Sequence, residues 1–494
     1  MPHGKAGAAG DIKRNYVYHT LFQILSLLIP LITAPYIARV LQRTGVGLYS
    51  YANSIATFFS LVAPLGISSY GLREVSRARD DRRRASKLYW ELSLLRMAST
   101  VLCLLVYLLF VLIFAEDIRV YLACGLVILS AGLDPSWFFQ ALEEFRTLMV
   151  QNFLVKLAGL ICIFLFVRSA DDLVLYILIT AGSTLFSHVV MRLRLLPVLC
   201  WIPLRHLRFR RHLRETMLYF IPTVATSVYT VLDRAMIGFL THDLVESGYY
   251  EQAHRVVGTL LLIITSLNVV VGVRTSYLFG QEREAEVRRH IQDTFRFMYL
   301  LAFPLAAGML ACAPDFVPWF FGPGYEQVAP LMMLSAPLLF TIGTSNVLGT
   351  LYLTPSGQRA LSNRAVIAGA VLNFLLNLLL IPFLGAYGAV AASVTAELLI
   401  AVLYMRYSRR FIPVGGVLRL ALRYCLLSAG MFLPVWWIGR RLGPGLWTTL
   451  LQMAVGVLLY TGELIVVRDP AWLGTRRLLR SRLAAHRTGK GDAA

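Results

Sequence analysis

The stretch Val101-Leu102-Cys103-Leu104-Leu105-Val106-Tyr107-Leu108-Leu109-Phe110-Val111-Leu112-Ile113-Phe114-Ala115 carries no charge. Arg82-Arg83-Arg84 and Lys87 precede it, and Glu116-Asp117 follow it. Counted from residue 89, the apolar run holds enough residues to cross the hydrocarbon of a bilayer, which takes ~20 helical residues. Lipid offers backbone groups no partners, so such a run forms a helix. The step from basic to acidic across it places the basic end in the cytoplasm.

The same pattern recurs along the chain. Apolar runs fall near 15–41, 45–70, 89–115, 119–141, 148–167, 172–191, 217–240, 253–278, 295–314, 329–354, 365–384, 387–405, 423–440 and 446–467. These are fourteen candidate spans. They predict an all-α, polytopic membrane protein. Composition agrees: 57 % of the 494 residues are hydrophobic, only 15 % are charged, and mean hydropathy is +0.65. Soluble domains sit near ~45–50 % and ~25 %. The first run follows Lys5, Lys13 and Arg14 but is too long for a signal-peptide core, so it reads as an uncleaved first span.

Net charge is +20. In a soluble chain that would point to nucleic acid. Here the cations fall in alternate loops: Arg73–Lys87, Arg192–Arg214, Arg406–Arg419 and the tail from Arg476. The other loops hold Glu116, Asp171, Asp243 and Asp315. This alternation predicts cytoplasmic termini and accounts for the charge without nucleic acid. The Leu72–Leu88 segment reads either as topogenic charge or as an amphipathic surface helix. The six cysteines lack metal or redox spacing, and neither a metal nor a cofactor is expected.

A weak internal repeat appears at a shift of 201 residues. Gly47, Tyr49 and Ala52 match Gly248, Tyr250 and Ala253, and Gly71 and Arg73 match Gly272 and Arg274. Six spans per repeat keep the same orientation, so two lobes with a cavity between them are expected. The predicted organisation is an N-lobe over 1–191, a basic linker over 192–216 and a C-lobe over 217–405. Two additional spans over 406–467 and a basic tail over 468–494 complete it.

No P-loop, HExxH or GxSxG motif is present, so the chain does not read as an enzyme. The informative residues are charges inside apolar runs, which are costly there and face partners or water. Arg39 closes the first run. Asp233 and Arg234 lie deep in the seventh, about 100° apart on a helix. Arg255 opens the eighth and Arg274 ends it. Lys156 lies in the fifth, Asp134 in the fourth, and Glu397 is central in the twelfth. The cations either snorkel to headgroups or bind an anion in a cavity. The carboxylates either couple ion movement, pair with a cation, or, for Asp134 before Pro135, satisfy kinked backbone. Asn373 and Asn377 share a helix face and either join helices or line a cavity. Trp137-Phe138-Phe139 reads as an interfacial aromatic belt.

Arginines facing a cavity suit a phosphate headgroup. The chain resembles the Wzx-type (RfbX-like) oligosaccharide flippases of the polysaccharide transport family. Their superfamily also holds lipid II flippases and MATE-type multidrug exporters. The resemblance rests on Pro30–Leu41, Gly45-Val46-Gly47-Leu48-Tyr49, Asp134–Glu143, Asp233–Gly238, Pro318–Tyr325, Asn373–Pro382 and Gly385–Ala389. It implies transfer of undecaprenyl-pyrophosphate-linked oligosaccharide units across the bacterial plasma membrane by alternating access. It implies the bilayer, a lipid-linked oligosaccharide substrate and polysaccharide polymerase or glycan-assembly proteins as partners. Arg39 looks like the arginine of the family's first-helix motif, and Arg255 matches a cavity arginine of lipid II flippases. Arg39, Arg255 and Arg274, with Lys156 and Arg234, are then expected to meet the substrate, and Asp233, Glu397 and Asp134 to serve ion coupling. Two positions depart from the family: Gly272 replaces a proline often found ahead of the arginine, and Gln42 replaces the usual glycine after Val40-Leu41. Two other readings stay open, a cation-coupled multidrug or lipid exporter and a non-transporting scaffold of a glycan-assembly complex.

Overall fold

The computed structural model describes residues 8–203 and 207–470; side chains at 8–28, 30, 218–219, 221–230, 267–270, 273–274 and 276 lie outside the described set. The described elements are helices: α1 (Ala8–Val62), α2 (Ile67–Arg77), α3 (Arg82–Phe114), α4 (Ile118–Leu133), α5 (Ser136–Ala141), α6 (Phe145–Phe166), α7 (Leu173–Leu195) and α8 (Phe209–Thr241). They continue with α9 (Leu244–Gly280), α10 (Glu284–Phe321), α11 (Val328–Leu334), α12 (Pro337–Leu348), α13 (Arg359–Leu384), α14 (Ala386–Ser408), α15 (Val414–Leu442) and α16 (Leu446–Val466).

Among the described residues, ten helical stretches are long and apolar enough to cross a membrane. The pair α11 and the stretch Pro337–Leu353, bent by 40°, brings the number to eleven. The break falls at Pro337, whose ring and missing N–H end the preceding helix. The protein is therefore an all-α, polytopic membrane protein. Apolar side chains such as Leu112, Phe166, Phe383 and Leu458 stand exposed on these helices, as lipid-facing positions require.

The chain forms two compact units, Met1–Glu251 with Asn377–Ala386, and Gln252–Leu376 with Tyr387–Ala494. In the first unit α1 packs on α4, α6 and α8, and α4 packs on α3 and α7. Its core gathers Ile37, Leu41, Ala52, Tyr107, Val111, Cys124, Ile128 and Ile177. In the second unit α10 is the central post, and α12, α15 and α16 pack along it. Tyr460 donates to the Leu300 carbonyl at 3.0 Å, and Trp319 Nε1 to Thr449 Oγ1 at 2.8 Å.

α1 is broken at Gln42, where φ is 57° and ψ 175°. That conformation suits glycine alone, and it sits where the family resemblance expects glycine. The break separates the first two apolar runs.

Two local expectations are corrected. Trp137, Phe138 and Phe139 are not an interfacial belt: each is at most 3 % exposed, in a core with Tyr70, Tyr89, Leu92 and Met191. The reason is the break at Asp134-Pro135, which starts the short α5 and turns its rings inward. Trp137 lies where a side chain on Gly71 would stand. The Leu72–Leu88 segment is not one amphipathic helix either. α2 ends at Arg77, and Asp81 caps α3 by accepting from the Arg84 amide at 3.0 Å, a role its short carboxylate suits.

The segment between α7 and α8 is pinned to α3. Arg82 donates to the Val198 and Pro197 carbonyls, Trp90 Nε1 to the Cys200 carbonyl, and the Cys200 amide to Ser86 Oγ.

Candidate functional site

α8 and α9 form a helical hairpin closed by His242 in the left-handed region, φ 54°. Antiparallel helices joined this tightly bring residues equally far from the turn side by side. Asp233 lies eight residues before Thr241 and Tyr250 six after Leu244, roughly 10 Å from the tip at ~1.5 Å per residue. The Tyr250 hydroxyl donates to Asp233 Oδ2 at 2.7 Å. Asn377 Nδ2, from α13, donates to Oδ1 at 2.6 Å. Asp233 is 1 % exposed and Asn377 fully buried.

Arg234 points elsewhere, as adjacent helical positions must. Its Nη1 pairs with Glu251 Oε2 at 2.8 Å. The Arg234 carbonyl accepts from Ser247 Oγ, and Ser50 Oγ on α1 donates to the Ser247 carbonyl at 3.1 Å. Beside this pair, a Cβ on Gly47 would stand 2.2 Å from the Leu244 carbonyl, and one on Gly248 3.0 Å from Gly47 Cα. The two glycines matched by the repeat thus touch, and close backbone approach explains both. Further along, the Ala386 amide donates to Glu246 Oε2 at 2.9 Å, and Gly385 (φ 53°) leaves room for that carboxylate.

The remaining expected residues fall at separate places. Arg39 is exposed on α1 and Lys156 exposed on α6. Arg255 is half-buried on α9, and Glu397 is buried on α14 in the second unit. The Arg274 side chain lies outside the described residues. Asn373, also in the second unit, donates to Ser393 Oγ at 3.2 Å.

Asp134 ends α4 and holds the start of α5, accepting from the Ser136 amide at 2.9 Å. It also faces Arg96 Nη2 at 3.5 Å and His188 Nε2 at 3.6 Å. Arg96 is 2 % exposed and spans from the Ala131 carbonyl to Ser68 Oγ. His188 Nδ1 lies 3.0 Å from Ser130 Oγ. A second buried cluster joins Tyr70, His212 and Glu91. The Tyr70 hydroxyl is 2.9 Å from His212 Nδ1, and His212 Nε2 is 2.9 Å from Glu91 Oε2. The Arg208 amide donates to Glu91 Oε1 at 2.7 Å.

Sequence reading missed Arg96, Glu91, Tyr250 and Glu251. Arg96 and Glu91 carried a usable signal, a charge inside the third apolar run. Tyr250 had none, because its meaning depends on the hairpin register.

This arrangement holds buried charge inside a membrane bundle. The model of the family described as "Polysaccharide biosynthesis protein" matches residues 12–272, more than half of the chain. A candidate O-antigen transporter of Escherichia coli (strain K12) is 22 % identical over 405 residues, 81 % of this chain and 97 % of that one. The fold is similar to that of the lipid II flippase MurJ in an inward closed conformation. The TM-score is 0.67 and the identity 15 %, over 92 % of this chain and 99 % of the other. It is also similar to an inward-facing multidrug resistance transporter of the MATE family in the MOP superfamily. There the TM-score is 0.56 and the identity 12 %, over 80 % and 99 % of the two chains.

Proposed function

The chain belongs to the polysaccharide biosynthesis protein family, and from that premise we propose that it flips undecaprenyl-pyrophosphate-linked oligosaccharide units across the bacterial inner membrane. It is a flippase-type membrane transporter rather than an enzyme, and its substrates are lipid-linked glycans. The observation that carries the reading is the family match over residues 12–272, joined to buried charge along the same helices.

Fourteen spans are our finer reading. α1 supplies two, on either side of Gln42. α3, α4, α6, α7, α10, α13, α14, α15 and α16 supply one each, the bent pair one more, and α8 and α9, 33 and 37 residues long, the last two. An even number leaves both termini on the basic, cytoplasmic side. Spans one to six and seven to twelve form the N-lobe and C-lobe, and α15 and α16 are the additional pair.

We assign Arg39, Arg255 and Arg274 to the pyrophosphate, since guanidinium pairs with phosphate in bidentate geometry. Lys156 and Arg234 add positive potential along the path. Asp233 is the ion-coupling group, its buried carboxylate accepting from Tyr250 and Asn377. Glu397 serves the same purpose in the second unit. Asp134, tied to Arg96, transmits coupling through the α4–α5 break. Polysaccharide polymerase or other glycan-assembly proteins receive the product.

The test is native mass spectrometry of protein gently extracted from its own membranes. A bound mass equal to polyprenyl pyrophosphate plus sugars is expected, and it should vanish in the Arg39→Ala, Arg255→Ala double variant. Finding only ordinary phospholipid or an organic cation would overturn the reading.

A further inference from the structure

The first unit holds a half-open cavity of about 160 Å³ between α1, α4 and α7. Its polar lining is Tyr49 and Asn53 of α1, Ser130 of α4, and Thr180 and Thr184 of α7. On α1 and α7 the polar residues stand four apart, so each helix turns one polar face inward. That lining contains no charged side chain. The volume is that of roughly five water molecules at ~30 Å³ each, which suits one pyranose ring.

The lining groups have hydrogen-bonding capacity to spare. Thr180 Oγ1 donates to the Tyr176 carbonyl at 2.9 Å, and Thr184 Oγ1 to the Thr180 carbonyl at 3.1 Å. Each hydroxyl has thereby spent its donor inward and keeps lone pairs for O–H donors in the cavity. Among the described residues the Asn53 amide has no hydrogen-bond partner; it brings two donors and an acceptor to the same space. Tyr49 packs edge-on against Tyr176, ring centroids 5.2 Å apart, which fixes an aromatic wall. Ser130 is held by His188. Neutral acceptors and donors beside an aromatic wall match a sugar's hydroxyls and its apolar ring face better than a phosphate or an organic cation.

We propose that this cavity binds one neutral sugar ring of the transported glycan, apart from the arginines assigned to the pyrophosphate. The proposal rests on the flippase reading above.

Full-length protein in lipid nanodiscs is titrated with two probes. One is bare undecaprenyl pyrophosphate; the other is the undecaprenyl-pyrophosphate-linked oligosaccharide extracted from the source membrane. Wild type is expected to bind the sugar-bearing lipid at least about tenfold more tightly, as a few extra hydrogen bonds would give. Asn53→Leu and Thr184→Val are each expected to erase most of that preference and leave binding of the bare lipid unchanged. Thr184 is exposed and valine keeps its shape, so this variant serves if Asn53→Leu does not fold. Equal binding of both probes by the wild type, or a full preference retained in the variants, overturns the sugar site and leaves the flippase reading intact. Binding of neither probe by the wild type overturns both.

Discussion

The Tyr250 hydroxyl donates to the Asp233 carboxylate at 2.7 Å across the α8–α9 hairpin. Asn377 donates to the other oxygen. A buried acceptor that loses one donor costs about 1–3 kcal/mol. Tyr250→Phe should therefore lower the thermal midpoint while leaving the carboxylate in place.

Asp233→Asn separates charge from shape. The amide still fills the space beside Tyr250 and Asn377, but no charge is left to follow an ion. In liposomes, lipid-linked oligosaccharide transfer should become insensitive to an imposed proton or sodium gradient, with substrate binding retained. Unchanged gradient dependence would remove Asp233 from the coupling role.

Gln42 occupies a backbone conformation that costs a non-glycine residue on the order of 1–3 kcal/mol. Gln42→Gly should raise the thermal midpoint by relieving that strain, and Gln42→Ala should not. A lower midpoint for the glycine variant would mean that the Gln42 side chain contributes more than the strain costs.

Arg96 is a buried cation held by Asp134 and the Ala131 carbonyl. Removing one member of such a pair strands the other, at roughly 3–5 kcal/mol. Arg96→Leu should sharply reduce the yield of monodisperse protein, and adding Asp134→Asn should restore part of it. No rescue by the second change would show that the carbonyl contacts, not the ion pair, dominate.

Gly47 and Gly248 test the helix crossing. A Cβ at Gly47 meets backbone at 2.2 Å, one at Gly248 meets backbone at 3.0 Å. Backbone cannot rotate away in either case, and the closer approach at Gly47 should make Gly47→Ala the more damaging, at about 1–3 kcal/mol of overpacking. Thermal unfolding of the two variants in detergent checks the order.

Much of the fold was legible because lipid imposes a simple rule: a long run without charge must be a helix. Apolar runs and loop charge are local patterns, readable one window at a time. Asp233 and Arg234 stood out for the same reason, as charges where charge is costly. Other readings failed where partners come from distant sequence. Trp137-Phe138-Phe139 has the composition of an interfacial belt, yet the break at Asp134-Pro135 and the bare face of Gly71 bury it. Asn377 was legible as a polar residue on a helix face, but only hairpin register and packing bring it and Tyr250 to Asp233.

The amino-acid sequence by itself determined that this protein is a polytopic helical membrane protein, because hydropathy and charge act through the solvent around each segment. Only the tertiary structure decided which polar groups meet. Helix rotation about its own axis changes no hydropathy, so the pairing of Asp233 with Tyr250, of Arg96 with Asp134, and of Tyr49 and Asn53 with Thr180 around one cavity is set by how the helices turn and pack against one another.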